Sequence, residues 1–259
     1  MTTPVTEDVI VDLRDICFGF GHGDRLVLAN VSLSVPRGSF LALVGPSGVG
    51  KSSLLRVIAG LVPLSHGQVK LYSGQDAGRR PAALVFQDPR LLPWRRVLRN
   101  VEFGLEGLSL TKAESLRRAE AALAIVGLAE YGDKWPYQLS GGQRQRVGIA
   151  RALAVEPDLL LVDEPFGALD MITRQTLQDE LLRIWRTTGA SVIFVTHDLD
   201  EAVYLADRVI LLGGRPARIM REIIVEVPRP RRRDATALVA HVDVLHSALG
   251  ETFIDGGGI

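Results

Sequence analysis

Residues 40–53 constrain the fold more than any other stretch of the chain. An unbroken apolar run, Phe40-Leu41-Ala42-Leu43-Val44, passes directly into Gly45-Pro46-Ser47-Gly48-Val49-Gly50-Lys51-Ser52-Ser53. Five apolar residues ended by a turn signal read as a strand covered on both faces. The segment after it satisfies G-x-x-x-x-G-K-[ST] through Gly45, Gly50, Lys51 and Ser52. The glycines let the backbone wrap a triphosphate with its N–H groups pointing inward, Lys51 reaches the outer phosphates, and the Ser52 hydroxyl is available to Mg²⁺. A helix carrying Leu54, Leu55, Val57 and Ile58 follows and stops at Gly60. This strand–loop–helix context favours phosphate binding over a glycine-rich turn that binds nothing.

The rest of the chain supplies a sheet for that strand to join. Residues 9–15 and 26–35 alternate apolar and polar positions, Ile10 excepted, and read as antiparallel strands with one wet face. Short strands are expected at 69–72 and 83–86. The character then changes. Thr111-x-x-Glu114 is a capping box opening a helix that ends near Gly127, and a second helix runs from about 142 to 155. Residues 89–155 are thus a mainly helical insertion. Apolar strands return at 159–162, 191–196 and 209–212, alternating with helices at 171–188 and 200–206, which implies a parallel sheet covered on both sides. The fold class is α/β.

Composition narrows the class of protein. With 30 Lys+Arg and 30 Asp+Glu, the chain has no overall basic field to draw nucleic acid. Its one cysteine, Cys17, excludes an internal disulfide framework and reads as a small buried hydrophobe. No apolar run approaches the ~20 residues that span a bilayer, and residues 1–8 lack the pattern of a signal peptide. The tail carries a basic run at 229–233, read as a solvated charge run or a contact for anionic lipid headgroups, then a short amphipathic helix near 235–249 and a disordered end at 255–259.

Two further constellations carry chemistry. Asp163-Glu164 closes the apolar strand 159–162. A carboxylate there, beside a phosphate loop, can hold Mg²⁺, and the next one is placed to polarise a water. Leu139-Ser140-Gly141-Gly142-Gln143 stands just before a helix, a second anion-receptive turn that is redundant for one nucleotide unless it serves a second copy of the chain.

Taken in order, residues 45–53, Gln87, 139–143, 159–164, Ala168-Leu169-Asp170 and His197 resemble the motifs of ATP-binding cassette (ABC) ATPases, a likeness that covers about residues 9–225. The resemblance implies a P-loop core with an N-terminal antiparallel β-subdomain and an inserted helical subdomain. It makes 1–228 the ATPase domain and 229–259 a tail. It also implies a head-to-tail homodimer that clamps two ATP molecules. By the same resemblance, Gly45, Pro46, Ser47, Gly48, Val49, Gly50, Lys51, Ser52 and Ser53 cradle phosphate, Ser52, Gln87 and Asp163 organise Mg²⁺, Glu164 is the catalytic base, and His197 contacts the γ-phosphate. Lys51 stabilises the charge, Asp170 lies at the dimer seam, and Ser140, Gly141, Gly142 and Gln143 act in trans. The aromatic residue expected to stack on adenine is Phe18 or Phe20, with spacing favouring Phe20; packing in the core is the other reading of both.

Residues 86–94 and the stretch from Gly214 to Arg231 resemble the importer cassettes of the nitrate, sulfonate and taurine group. The implied protein sits peripherally on the cytoplasmic face of the inner membrane. It docks permease subunits near 87–95 and meets a solute-binding protein only indirectly. Leu91, Leu92, Pro93 and Trp94 form the candidate docking cluster; packing of both leucines on the helical insertion is the alternative. Nitrate, an alkylsulfonate, taurine or a heterocyclic vitamin precursor remain open as solutes. A soluble ABC ATPase outside transport, or a scaffold that binds ATP without turnover, are the competing classes.

Overall fold

The computed structural model describes residues 9–20, 26–74, 77–167 and 169–255. The N-terminal 1–8, Ala168 and the terminal 256–259 lie outside the described residues. The chain divides into two compact units, one built from residues up to Tyr72 together with those from Ser191 onward, the other from Ser73–Ala190.

The first unit holds two sheets. Strands β1 (Val9–Gly19), β2 (Leu26–Pro36) and β4 (His66–Leu71) form an antiparallel sheet in the order β2-β1-β4. The sequence pattern ends β1 at 15, but the strand continues to Gly19. Asp15 takes a positive φ of 50° and the register shifts between Leu13 and Ile16, so the buried side changes phase and resumes at Ile16, Cys17 and Phe18. In the second sheet, β3 (Phe40–Val44) lies between β7 (Ser191–Val195) and β8 (Arg208–Gly213), parallel to both. Every residue of β3 and β7 is buried, as a strand with both faces covered requires. An edge strand, β9 (Arg218–Ile224), pairs antiparallel with β8. It escapes the sequence reading because it is largely exposed and carries charges in place of an apolar run. Helices α1 (Lys51–Ile58), α6 (Leu199–Leu205) and α7 (Thr236–Asp255) complete the unit.

The second unit contains the parallel pair β5 (Ala82–Val85) and β6 (Leu159–Asp163) with helices α2 (Val97–Glu102), α3 (Lys112–Ile125), α4 (Gly141–Leu153) and α5 (Met171–Thr188). The apolar stripe Leu177, Leu181, Ile184 of α5 is buried, as its spacing predicts. Thr111 caps α3 through the Glu114 N–H at 3.2 Å, but the Glu114 carboxylate turns to Arg117 and Arg118 instead of closing a box.

The tail departs most from expectation. Helix α7 is 20 residues long, and Leu238, Val242 and Leu245 are buried against its own unit. The basic run is only partly solvated. Arg229 pairs with Asp207 at 2.7 Å, and Arg231 is buried against backbone carbonyls of α6 and of the segment after β9. Desolvation, with Arg229 nearby, lowers the Arg231 pKa to about 10, so it stays charged at neutral pH. The lipid reading therefore loses Arg231, whose donors are already committed. Among the described residues, no helix is long and apolar enough to cross a membrane.

Candidate functional site

In the first unit the site begins where β3 ends. Gly45 follows with φ 151°, and a Cβ there would stand 2.3 Å from the Leu212 carbonyl oxygen, so no other residue fits this close approach to β8. Gly50, at φ 118°, is the N-cap of α1 and offers no side chain to its first turn. With no acidic residue there either, the first N–H groups and the positive end of the helix dipole favour an anion. Pro46, Ser47 and Gly48 form the accessible crest, while Val49 and Ser53 pack inward and Ser52 is half-buried. Lys51 is buried, its Nζ donating to the carbonyls of Gly45 and Pro46 at 2.9 and 3.1 Å, so the ammonium lies along the loop it serves. A cavity of about 450 Å³ opens beside the loop, lined by Leu26, Val27, Gly48, Val49 and Gly214 to Pro216. Phe20 is 64% exposed whereas Phe18 is 2% exposed, their rings meeting edge to face at 5.0 Å. Only Phe20 presents a face to solvent.

His197 stands past the carboxyl end of β7, the neighbour of β3, and the Thr196 N–H donates to the Leu43 carbonyl at 3.2 Å. The phosphate loop and the His197 loop therefore leave adjacent parallel strands at the same end, where ligands of open α/β sheets bind. His197 is exposed, flanked by buried Thr196 and half-buried Asp198.

The second unit repeats that logic. Val85 and Val162 are register partners, so Gln87 and the Asp163-Glu164 pair leave the same end of the parallel pair β5 and β6. Asp163 is buried, and Glu164 is half-buried with a left-handed φ of 42°. A Cβ on Gly167 would stand 3.4 Å from the Gln87 side-chain nitrogen, which brings the turn after Glu164 to Gln87. Asp170 caps α5 through the Thr173 N–H at 3.0 Å, and that backbone bond holds its carboxyl below the usual value. Ser140 and Gln143 close a reciprocal capping box on α4, at 3.2 and 2.9 Å, leaving Ser140 and Gly141 exposed at the helix start. Gly142 is buried where a Cβ would stand 2.9 Å from the Thr173 methyl group.

Three residues of this unit carry no motif signal. Gln145 of α4 donates to the Phe86 carbonyl at 3.3 Å, and Arg151 donates to the carbonyls of Pro89 and Arg90. The helix that starts with Ser140-Gly141-Gly142 thereby holds the segment around Gln87. Asn100, fully buried, accepts from the Leu92 N–H at 2.7 Å and donates to the carbonyls of Leu92, Arg95 and Arg96. It fixes the loop that leaves Leu91 and Leu92 half-buried and Trp94 70% exposed. Such residues are invisible in sequence because their partners are backbone atoms gathered through space.

Known proteins resemble this chain over most of its length. Residues 28–167 match the family described as ABC transporter. The chain is 51% identical to the aliphatic sulfonates import ATP-binding protein SsuB of Mycobacterium avium, over 86% of this chain and 84% of that protein. It is 48% identical to a second protein of that name, from Pseudomonas aeruginosa, over 92% and 84%. Among solved structures, it resembles a dimeric post-hydrolysis ATP-binding cassette bound to ADP and Pi, with 31% identity, TM-score 0.69 and coverage of 85% and 100%. It also resembles cbiO1 of Clostridium perfringens, part of the cbiONQ transporter complex, with 26% identity, TM-score 0.76 and coverage of 96% and 98%.

Proposed function

The chain belongs to the ABC transporter family of ATP-hydrolysing subunits, and from that premise we propose that it powers uptake of a small sulfonate-like anion through separate membrane subunits. The observation that carries this reading is the likeness, over nearly the whole chain, to proteins named for aliphatic sulfonate import. Taurine, a zwitterion that carries the same sulfonate group, and nitrate, another small oxoanion, are the nearest competitors.

The residues divide the work as follows. Backbone N–H groups of the Gly45–Ser53 loop, Pro46 excepted, hold the phosphates, and Lys51 donates to the outer oxygens as charge builds on them. Glu164 takes the proton of the attacking water, His197 contacts the γ-phosphate, and Phe20 offers its free face to adenine. Ser52, Gln87 and Asp163 would hold Mg²⁺. Their hydroxyl, amide and carboxylate oxygens suit a hard cation. Among the described residues no group of three or more His, Cys, Asp or Glu could cage a metal. Three ligands from Ser52, Gln87 and Asp163 leave positions for phosphate oxygens and water on the Mg²⁺ ion. When bound, it neutralises phosphate charge.

A second copy of the chain supplies Ser140, Gly141, Gly142 and Gln143 to each nucleotide. The exposed start of α4 supports this, as do Met171 and Ile172 beside Asp170, 68% and 73% exposed. Permease helices dock around 87–95, where Trp94 projects, and the solute-binding protein acts through the permease. The protein is thus peripheral, on the cytoplasmic face.

Glu164→Gln tests the catalytic assignment. It keeps nucleotide affinity, loses turnover by at least about 10²-fold, and sediments as a dimer with MgATP; near-normal phosphate release would refute the base. The solute is tested in liposomes carrying the whole transporter, where ATPase stimulation is compared for binding protein loaded with an alkylsulfonate, taurine or nitrate.

A further inference from the structure

The basic run at 229–233 has no part in the chemistry above, yet its central residue has an unusual set of partners. The Arg231 guanidinium donates to five carbonyl oxygens. Those of Val203, Tyr204 and Ala206 lie at 2.9, 3.2 and 2.6 Å, and those of Val225 and Val227 at 3.1 and 2.9 Å. The first three belong to the C-terminal end of α6. A helix leaves its last four carbonyls without intrahelical partners, and its dipole favours a cation there. The planar guanidinium fork satisfies several at once, which a lysine ammonium cannot reproduce. Arg229 adds a bond to the Leu205 carbonyl and grips Asp207, whose other oxygen accepts the Phe40 N–H at 3.0 Å, at the start of β3.

Helix α6 has only seven residues, a length that is unstable in isolation. Its place is therefore set by its surroundings, both the packing of its buried Leu199, Ala202, Val203 and Leu205 and the groups that hold its ends. At the N-terminal end three bonds close around His197. The Asp198 carboxylate accepts the Glu201 N–H at 3.1 Å, the Thr196 hydroxyl donates to the Glu201 carboxylate at 2.8 Å, and the Asp198 N–H donates to the Thr196 hydroxyl at 3.0 Å. The backbone of His197 is thus carried by the first turn of α6, roughly 10 Å from the turn that Arg231 grips.

We propose that Arg231 is a positioning residue for ATP hydrolysis: it anchors the far end of α6 and, through that short helix, fixes the loop that presents His197. This rests on the reading of His197 as the γ-phosphate contact. It makes the tail part of the hydrolytic apparatus without touching nucleotide.

The full chain tests it with Arg231→Lys, which keeps the charge and loses the fork, Arg231→Gln, which loses both, and Arg232→Ala as control, since Arg232 is exposed and its side chain pairs with Asp234 two residues along. In Arg231→Lys, kcat is expected to fall about 3- to 10-fold through misplacement of a reacting contact. KM and fluorescent-nucleotide affinity stay within about twofold, because the phosphate loop is untouched. The His197 imidazole C–H resonance, assigned with His197→Ala, shifts in the folded protein. Arg231→Gln, if folded, does both more strongly, and Arg232→Ala does neither. A His197 resonance unmoved in Arg231→Lys, with kcat falling only in step with the folded fraction by circular dichroism, overturns the proposal. Normal hydrolysis by His197→Ala overturns the γ-phosphate reading alone and is distinguished from that outcome by the resonance.

Discussion

At Glu164 the backbone turns left-handed, with φ 42°, in a residue that has a full side chain. Holding a non-glycine residue there costs about 1–3 kcal/mol, and such strain gathers where a side chain must point in one direction. The expected consequence is a trade. Asparagine tolerates this conformation, so Glu164→Asn should raise the urea midpoint while abolishing phosphate release, both measured on one preparation. Asn100 is the opposite case, a residue whose worth lies wholly in its partners. Asn100→Ala takes the partner from the Leu92 N–H and the Arg95 carbonyl, while the Leu92 and Arg96 carbonyls keep the backbone N–H groups of residues 95 and 100, and should cost about 1–3 kcal/mol. Iodide should then quench Trp94 fluorescence more strongly than in the parent, because the loop loses its anchor. Sequence spacing alone nominates Lys51, Asp163 and Glu164, because the placement of a loop after a strand is local, and in the fold Lys51 opens α1 and Asp163 closes β6. Asn100 and Arg231 could not be found that way, because each binds carbonyls that meet only after folding.

Elements differ in how much of their making is written locally. β3, β6 and β7 announce themselves as apolar runs because both faces are covered, whereas β9, exposed along most of its length, offers no such run. The caps show a similar split. Thr111 and Glu114 have the spacing of a reciprocal box, yet the carboxylate is captured by two arginines, while the box that does close joins Ser140 and Gln143. Arg117, and then Arg118, hold the Glu114 pKa at about 2, down from the ordinary 4.5. A lowered carboxylate pKa gives stability that is complete above the ordinary value and is lost as pH falls through the folded one. The melting-temperature gap between the parent and Glu114→Gln should be full above roughly pH 5 and close toward pH 2, and salt should shrink it because the carboxylate is only half-buried. At the α4–α5 contact, Gly142→Ala forces a methyl group against Thr173 and should destabilise by about 1–3 kcal/mol, read by chemical denaturation.

For the whole molecule, the head-to-tail reading makes a sharp forecast. Lys51→Met and Ser140→Arg should each be inactive alone, since every site of either homodimer carries one defect. Mixed together, they should regain hydrolysis, because one site of the mixed dimer joins an intact phosphate loop to an intact serine turn. Failure of mixing to restore any phosphate release, with mixed dimers demonstrated by crosslinking, would refute the arrangement. The α/β class and the parallel strands were legible from apolar runs and motif order. The tail was not, because its arginines look like solvated charge until α6 is there to receive them. One arrangement bears on how the protein is made. The first unit is assembled from the two ends of the polypeptide, with Phe40 of β3 paired to Val192 of β7. On a ribosome adding ~5–20 residues per second, β3 waits roughly 8–30 seconds for that neighbour to emerge. During that interval a wholly apolar strand stands unpaired in the cytosol, so nascent-chain chaperones have most to do here early in translation, while the middle of the message is still being read.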